Sequence, residues 1–190
     1  LQAAGAVPAL TALLEDEDEP VRLNAAYALG AQGAIAELAD ALVRETRHRS
    51  QANLERGDFT SPSQLNAVYG LAAAGSAALH PLIEALADDE NSVRAAAATA
   101  LGHIGREARP ALSALATALD DENEWVRRHA ADAIGQIGPQ DITAQALLRA
   151  LDDCRPVTRW SLSTDSLRET AASTLARMTP LPPTVQQALN

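Results

Sequence analysis

Apolar residues recur along the chain at helical spacing, in runs that alternate with short polar and acidic segments. The first complete run, 20–33, carries an apolar stripe on one helix face, formed by Val21, Ala25, Ala28 and Leu29. The same order of residues returns at 92–105 and 125–138, with weaker copies at 65–75 and 167–178. Another helical run lies ahead of each copy, at 8–14, 35–44, 81–86, 110–119 and 142–151. The pattern predicts five helix pairs.

The ends of these helices carry the same residue types in successive pairs. Proline stands where a first helix begins, at Pro8, Pro81 and Pro110. Acidic strings form the turn between the two helices and are expected to cap the second helix, at 15–19, 88–90 and 120–124. Glycine, which tolerates a left-handed backbone, ends the second helix at Gly33, Gly75, Gly105 and Gly138.

One pair cannot bury its apolar stripe alone, so the pairs must stack on one another. We therefore predict an all-α fold, a right-handed α-solenoid, as a single array over residues 1–190. Its repeats are predicted at about 6–33, 34–75, 76–105, 106–138 and 139–179. Residues 1–5 align with 29–33, the end of a second helix, and 182–185 resemble the start of another first helix. We expect the chain to be a fragment of a longer protein.

Composition supports this fold and narrows the function. The chain has 42 Ala and 26 Leu but one Phe, two Trp and two Tyr, which favours helices over sheets. Its net charge of −10 disfavours a nucleic acid partner. The single cysteine, Cys154, permits no disulfide within the chain, which favours the cytoplasm. No apolar stretch approaches the roughly 20 residues that would span a membrane.

The repeated residues also resemble a known family. The pattern x-Val-Arg-x-x-Ala-Ala-x-Ala-Leu-Gly-x-Ile-Gly, nearly complete at 93–105 and 126–138, is similar to the HEAT-like repeat of phycobilisome lyase subunits. The resemblance implies a protein-binding scaffold, although some members are enzymes or enzyme subunits. It also implies that the arginine after valine bonds an acid of the inter-helix turn, at Arg22, Arg94, Arg127 and Arg168. Gln64 takes that place in the second repeat, where the series should be interrupted.

Two repeats are longer than the others, with insertions between their helices at about 44–62 and 154–166. Insertions at equivalent points of a solenoid project from the same edge. The first carries Arg47, Arg49 and Phe59, and the second carries Arg159 and Trp160. We interpret these basic and aromatic residues as a docking site for an acidic protein segment. The alternative is that both insertions are simply solvated loops.

Second helices line the concave surface that HEAT-like arrays usually present to ligands. Positions three and seven residues apart on one face avoid the Ala/Leu stripe and differ between repeats. This face supplies our further candidate partner-binding residues, which are Asn24, Tyr27, Asn66, Tyr69, His103, His129 and Asp132. The paired Asn and Tyr of repeats one and two form the preferred contact patch, since Tyr is favoured at binding hot spots. The alternative is that both Tyr only fill gaps between helices.

Signals for catalysis or metal binding are weak. HEAT-like di-iron hydroxylases carry paired His-Glu dipeptides, whereas the four His of this chain precede Arg, Pro, Ile and Ala. His103, His129 and Asp132 are the nearest approach to a ligand set, and two His with one carboxylate are a poor match to a metal site. Cys154 has no partnered base. We predict no metal, no cofactor and no catalytic residue in this segment.

The predicted function is a non-catalytic protein–protein interaction scaffold within a larger bacterial protein, which uses the concave face and the edge with the insertions. Two alternatives remain open. One is an enzyme subunit or chaperone similar to the phycobilin lyases, which holds a chromophore or a modified protein. The other is a C-terminal regulatory or oligomerising appendage of a larger enzyme.

Overall fold

A computed structural model of the chain describes residues 5–56, 65–152, 166–178 and 182–188. Within these ranges every regular element is a helix, and no described helix is long and apolar enough to cross a membrane. The α-helices are α1 Ala6–Leu13, α2 Glu19–Ala31, α3 Ile35–Arg56, α4 Asn66–Ala73, α5 Leu79–Ala85, α6 Asn91–Ile104, α7 Leu112–Ala118, α8 Glu124–Ile137, α9 Asp141–Leu151, α10 Ser166–Ala176 and α11 Pro183–Ala188. Short 3₁₀ helices precede α5 and α7, at Gly75–Ala78 and Gly105–Ala111.

The helices from α1 to α10 form five consecutive pairs, so the predicted all-α solenoid is confirmed. The odd-numbered helices are the first helices and the even-numbered ones are the second helices. Each second helix packs on the next, and their Ala and Leu side chains form one continuous core. In α6, at the centre of the array, every residue from 93 to 102 is buried. Stacking therefore buries the stripe that one pair would leave exposed.

The first two second helices, α2 and α4, meet backbone to backbone at a pair of glycines. A Cβ atom added to Gly30 would lie 2.1 Å from the carbonyl oxygen of Gly70, and one added to Gly70 would lie 2.6 Å from that of Ala26. Any side chain larger than hydrogen at these positions would push the helices apart. The close approach of α2 and α4 depends on both glycines.

Helix ends follow the predicted pattern in part. Gly33, Gly75, Gly105 and Gly138 all have positive φ, as expected for residues that end a helix. The acidic side chains at Asp18 and Glu90 do not cap their helices, whereas Asn123 accepts hydrogen bonds from the backbone of α8. The expectation that the acidic strings cap the second helices is therefore wrong at α2 and α6.

One aspartate of each string acts within the turn instead. Asp16, Asp88 and Asp121 each accept a hydrogen bond at Oδ1 from the backbone N–H two residues later. This local bond competes with helix formation and holds the chain in a turn. The acidic strings therefore shape the connection between the helices of a pair.

The turn arginines bind the backbone of the turn rather than its acids. In Arg22, Arg94 and Arg127 the Nη1 atom donates to the carbonyl oxygens five and six residues earlier, at 2.7–3.1 Å. Arg94 also binds a carboxylate, and this belongs to Asp121 of the following pair, at 2.8 and 2.9 Å. This bond raises the pKa of Arg94. Arg168 is exposed on α10, and the turn before it lies outside the described residues.

The second pair, which has Gln64 instead of arginine, is joined to its neighbours through α3. This helix continues to Arg56, so residues 44–56 are helical rather than a loop inserted between helices. Along it, Arg44 pairs with Glu15 at 3.2 Å and Arg47 pairs with Glu90 at 2.8 Å. Between them, Glu45 accepts a hydrogen bond from the backbone N–H of Ala67 in the first turn of α4. The long helix thus bridges the turns of the first and third pairs. Gln64 and residues 57–62 and 154–165 of the insertions lie outside the described residues.

We expect Gly70→Ala to lower the free energy of unfolding by about 1–3 kcal/mol, the usual effect of overpacking. The added Cβ would strike the backbone of α2, which cannot rotate away. Gly5→Ala is the control, since nothing lies within 4 Å of its Cβ. Urea denaturation followed by circular dichroism measures both, and equal midpoints for the two variants would contradict the packing argument.

We expect Arg94→Ala to lower the free energy of unfolding, measured by urea denaturation, by roughly 3 kcal/mol or more. The substitution leaves the carboxylate of Asp121 and two turn carbonyls without their donor. Arg149 pairs with Asp120 at 2.7 Å, but its side chain is 57% exposed. Arg149→Ala should therefore cost less than about 1 kcal/mol. A comparable loss in both variants would show that the turn network adds nothing beyond an exposed ion pair.

Candidate functional site

Three rings form a continuous row across the second helices of the first three pairs. Tyr27 on α2 lies 6.2 Å from Tyr69 on α4, measured between ring centroids, and the rings are tilted by 39°. Tyr69 contacts His103 on α6 edge to face at 5.4 Å. Tyr27 is 44% exposed and His103 is exposed as well. We call Tyr27, Tyr69 and His103 the aromatic row.

Small and polar residues surround the aromatic row. Ala31 and Ala73, one helical turn beyond the two tyrosines, are exposed and leave the flanks of those rings open. Asn24, one turn before Tyr27, is exposed and donates from Nδ2 to the carbonyl oxygen of Pro20. The ring of His103 is partly buried, and this burial lowers the pKa of His103, so the neutral imidazole is favoured. The row is therefore a neutral, partly open aromatic surface.

The same face has a different character in the fourth pair. Thr99 on α6 donates its hydroxyl to the carbonyl oxygen of Ala95, so Nδ1 of His129 on α8 is the donor in its 3.2 Å contact with Thr99. The His129 ring stacks on Trp125 at 6.1 Å, and the guanidinium of Arg128 lies 5.7 Å from the Trp125 ring centroid. Here the chain supplies its own cation to an aromatic ring.

His129 and Asp132 on α8 are partly buried between neighbouring helices. Burial, together with the charge of Arg128, lowers the pKa of His129 to about 4. Its Nε2 atom is buried and has no hydrogen-bond partner among the described residues. Burial raises the pKa of Asp132, although Arg128 and a hydrogen bond from Thr170 on α10 oppose the effect. Both side chains link α8 to its neighbours.

The structure thus brings together only part of the predicted site. Tyr27, Tyr69 and His103 share one surface, with Asn24 beside them. Asn66 is only 4% exposed, so it is not part of that surface. Arg47 lies on α3, where its charge is matched by Glu90. The side chain of Arg49 and the residues Phe59, Arg159 and Trp160 lie outside the described part of the chain.

Sequence reasoning missed Trp125 and Arg128, which stand three residues apart near the start of α8. That spacing places two side chains on one helix face and was a usable signal. It also missed Glu45, whose role depends on the length of α3 and has no local signature.

A cavity of about 310 Å³ lies away from the aromatic row, between the first turn, α3 and α4. Charged and polar side chains line it, and they include Arg22, Arg44, Glu45 and His48. Arg22 is bonded to turn carbonyls and Arg44 to Glu15. Among the described residues, no three His, Cys, Asp or Glu side chains are grouped closely enough to hold a metal ion.

Comparison with protein families identifies the repeats. Residues 79–168 match the family of HEAT repeats, residues 6–31 match a HEAT repeat, and residues 63–88 match the PBS lyase HEAT-like repeat. The chain is therefore built from HEAT repeats and includes a PBS lyase HEAT-like repeat, as the repeated pattern predicts. The search of curated proteins gives no match.

Several solved structures share the fold. An engineered protein has 19% identity and a TM-score of 0.55, and the alignment covers 97% of this chain and 83% of that protein. A designed armadillo repeat protein has 21% identity and a TM-score of 0.54, with 96% and 86% covered. Another, described in complex with the peptide (KR)4, has 25% identity and a TM-score of 0.50, with 92% and 82% covered. These likenesses establish an armadillo/HEAT-like solenoid, a fold that generally binds proteins.

The partly buried His129 should make stability depend on pH. With a pKa of 6.5 in the unfolded chain and about 4 in the folded one, the unfolded state binds more protons between these values. The free energy of unfolding should therefore fall by up to roughly 3 kcal/mol as the pH drops from 6.5 to 4. The raised pKa of Asp132 has the opposite effect. It makes the free energy of unfolding rise as the pH falls from that raised pKa to 3.8.

In His129→Gln this loss of stability between pH 6.5 and 4 should become smaller, because glutamine does not titrate. Gln136→Ala, at an exposed position on the same helix, should retain the slope of the unaltered chain because glutamine does not titrate. Urea midpoints measured at half-unit pH steps give the comparison. An unchanged slope in His129→Gln would assign the pH dependence to other groups.

Proposed function

We propose that the chain is a protein-binding module whose contact surface is the aromatic row with Asn24. The observation that carries the proposal is the continuity of three rings across three pairs, with Tyr27 44% exposed. Tyrosine provides rigid contact area with a polar hydroxyl, and such side chains supply a large share of binding energy at protein interfaces. The general use of HEAT and armadillo-like folds for protein binding supports the same conclusion. The single cysteine favours action in the cytoplasm.

The rigidity of the surrounding scaffold supports a binding role for this surface. Tyr27 and Tyr69 lie on helices locked together by Gly30 and Gly70, so the distance between the two rings is set by backbone contact. A surface prepared in this way loses little conformational entropy when a partner binds. His103 extends the surface onto α6, a helix buried along most of its length.

A second candidate function follows from the match of residues 63–88 to the PBS lyase HEAT-like repeat. This segment contains Tyr69, and a surface of aromatic rings also suits a chromophore with conjugated rings. In that case, mixing the chain with an open-chain tetrapyrrole should change the absorption spectrum of the pigment, and Tyr69→Ala should reduce the change. A protein-binding module without that activity leaves the spectrum as it is.

We expect the double variant Tyr27→Ala/Tyr69→Ala to lose at least about 30-fold in affinity for a partner captured from lysate, as for two hot-spot residues. Partners are identified by mass spectrometry and their affinities are then measured with the purified proteins. Circular dichroism and thermal melting establish that the variant still folds.

Ile142→Ala is the matched control, because Ile142 is 57% exposed on the first helix α9, far from the aromatic row. It should leave partner capture unchanged. If the tyrosine variant captures the same partners with the same affinity, the aromatic row is not the binding surface.

A further inference from the structure

We propose that the cavity between the first turn, α3 and α4 binds a small zwitterion, with its carboxylate at Arg22 and Asn66 and its ammonium group at Asp16. This site lies away from the aromatic row and does not depend on the proposed function. The cavity has a volume of about 310 Å³. Small-molecule sites range from about 300 to 1,000 Å³, so the cavity suits a small ligand.

Arg22 lines the cavity and has guanidinium nitrogens to offer a ligand. Its Nη1 atom donates to the carbonyl oxygens of Asp16 and Glu17, and its Nε and Nη2 atoms form no hydrogen bond within the described residues. Arg94 binds its own turn carbonyls in the same way, and its Nε and Nη2 atoms bind the carboxylate of Asp121 at 2.8 and 2.9 Å. These two nitrogens form a planar fork that matches the two oxygens of a carboxylate. The corresponding edge of Arg22 therefore suits the carboxylate of a ligand.

Asn66 adds a buried amide to the same cavity. Only 4% of this residue is exposed, yet it lines the cavity, and its side chain forms no hydrogen bond within the described residues. Buried amides in proteins are normally hydrogen-bonded, because an unpaired one costs free energy. The amide nitrogen can donate to a carboxylate, and the amide oxygen can accept from an ammonium group. A polar ligand in the cavity would therefore supply the partner that Asn66 requires.

Charged groups of both signs line the cavity. They belong to Glu15, Asp16, Arg22, Arg44, Glu45 and the titratable His48. Arg44 is paired with Glu15 at 3.2 Å, whereas Arg22 and Asp16 form no ion pair within the described residues. Even with His48 protonated, the three carboxylates leave no excess of positive charge that would favour a simple anion. A zwitterion adds no net charge and provides an opposite charge for both Arg22 and Asp16.

The sequence contains one carboxylate in register with Asp121. Asp121 stands six residues before Arg127, and Asp58 stands six residues before Gln64, which takes the arginine position of the second pair. Asp58 lies outside the described residues. It is therefore the competing partner for Arg22, and the test includes the variant Asp58→Asn.

The test is isothermal titration calorimetry of the whole chain with three small probes of matched length. γ-Aminobutyrate carries a carboxylate and an ammonium group, butyrate carries only the carboxylate, and butylamine carries only the ammonium group. We expect γ-aminobutyrate to bind at least about tenfold more tightly than either of the others, because each of these lacks one charge-assisted contact. β-Alanine, in which the two charges are closer together, is measured as well and shows which separation the cavity prefers.

Variants assign the two ends of the ligand. Arg22→Lys keeps a donor for the turn carbonyls but loses the planar fork, and should weaken γ-aminobutyrate binding at least about tenfold. Asn66→Asp, which keeps the size of the side chain, should also weaken it, because the new carboxylate repels that of the ligand. Asp16→Asn should reduce the affinity for γ-aminobutyrate to that for butyrate and leave butyrate binding unchanged. The matched control is Arg127→Lys, which alters the corresponding arginine of the fourth pair, outside the cavity, and should leave binding unchanged.

Three results would overturn the proposal. One is that neither amino acid binds, or that butyrate binds as tightly as both of them. Another is that Arg22→Lys and Arg127→Lys weaken binding equally, since the effect would then not come from the cavity. The third is that γ-aminobutyrate binds only to Asp58→Asn, which would assign the edge of Arg22 to the chain itself. Binding that is weakened in the three cavity variants and retained in Arg127→Lys and Asp58→Asn supports the site, and circular dichroism establishes that each variant is folded.

Discussion

Close contact between successive second helices is the constraint on which the rest of the structure depends. At Gly30 and Gly70 the backbones of α2 and α4 touch, and at Gly102 a Cβ would lie 3.1 Å from the Cα of Ala133 on α8. Alanine and glycine are therefore required where helices meet, which explains the unusual composition of the chain. Because the helices are so close, side chains beside the seam on consecutive repeats meet as well. The aromatic row is a direct consequence of this packing.

The turns between helices contain carbonyl groups that need hydrogen-bond donors from side chains. Arg22, Arg94 and Arg127 satisfy these groups in three pairs. In the second pair the longer helix α3 forms ion pairs with the turns of the first and third pairs. It also accepts a hydrogen bond at Glu45 from the backbone of Ala67 on α4. Several acids of the turns are used in this way, and those at 17–19 form no ion pairs within the described residues. Each ion pair uses one acid and one base, so pairing leaves the net charge of −10 unchanged.

Sequence reasoning predicted most of the fold but only part of the site. Five helix pairs and the four glycines at the ends of second helices were predicted correctly. The prediction failed where a role depends on a distant residue. The arginine after valine was expected to bind an acid of the inter-helix turn. Arg94 does bind such an acid, Asp121, but in the turn of the following pair, and within their own turns Arg22, Arg94 and Arg127 bind backbone carbonyls. Residues 44–56 were expected to leave the helix, and they extend it, which places Arg44 and Arg47 beside acids of two neighbouring turns.

By itself, the sequence determined the helix pairs, the four glycines that follow second helices and the need to stack, because helical periodicity and the positive φ of glycine are local properties. Tertiary structure decided which candidate residues share a surface. Tyr27, Tyr69 and His103 meet because their helices pack at close range. Asn66 and His129 occupy one column of the repeat, yet both are withdrawn from that surface. The long α3 lies against the start of α4 beside Asn66, and Thr99 and Trp125 pack against His129. Contacts of this kind join residues far apart in the chain, so no local pattern encodes them.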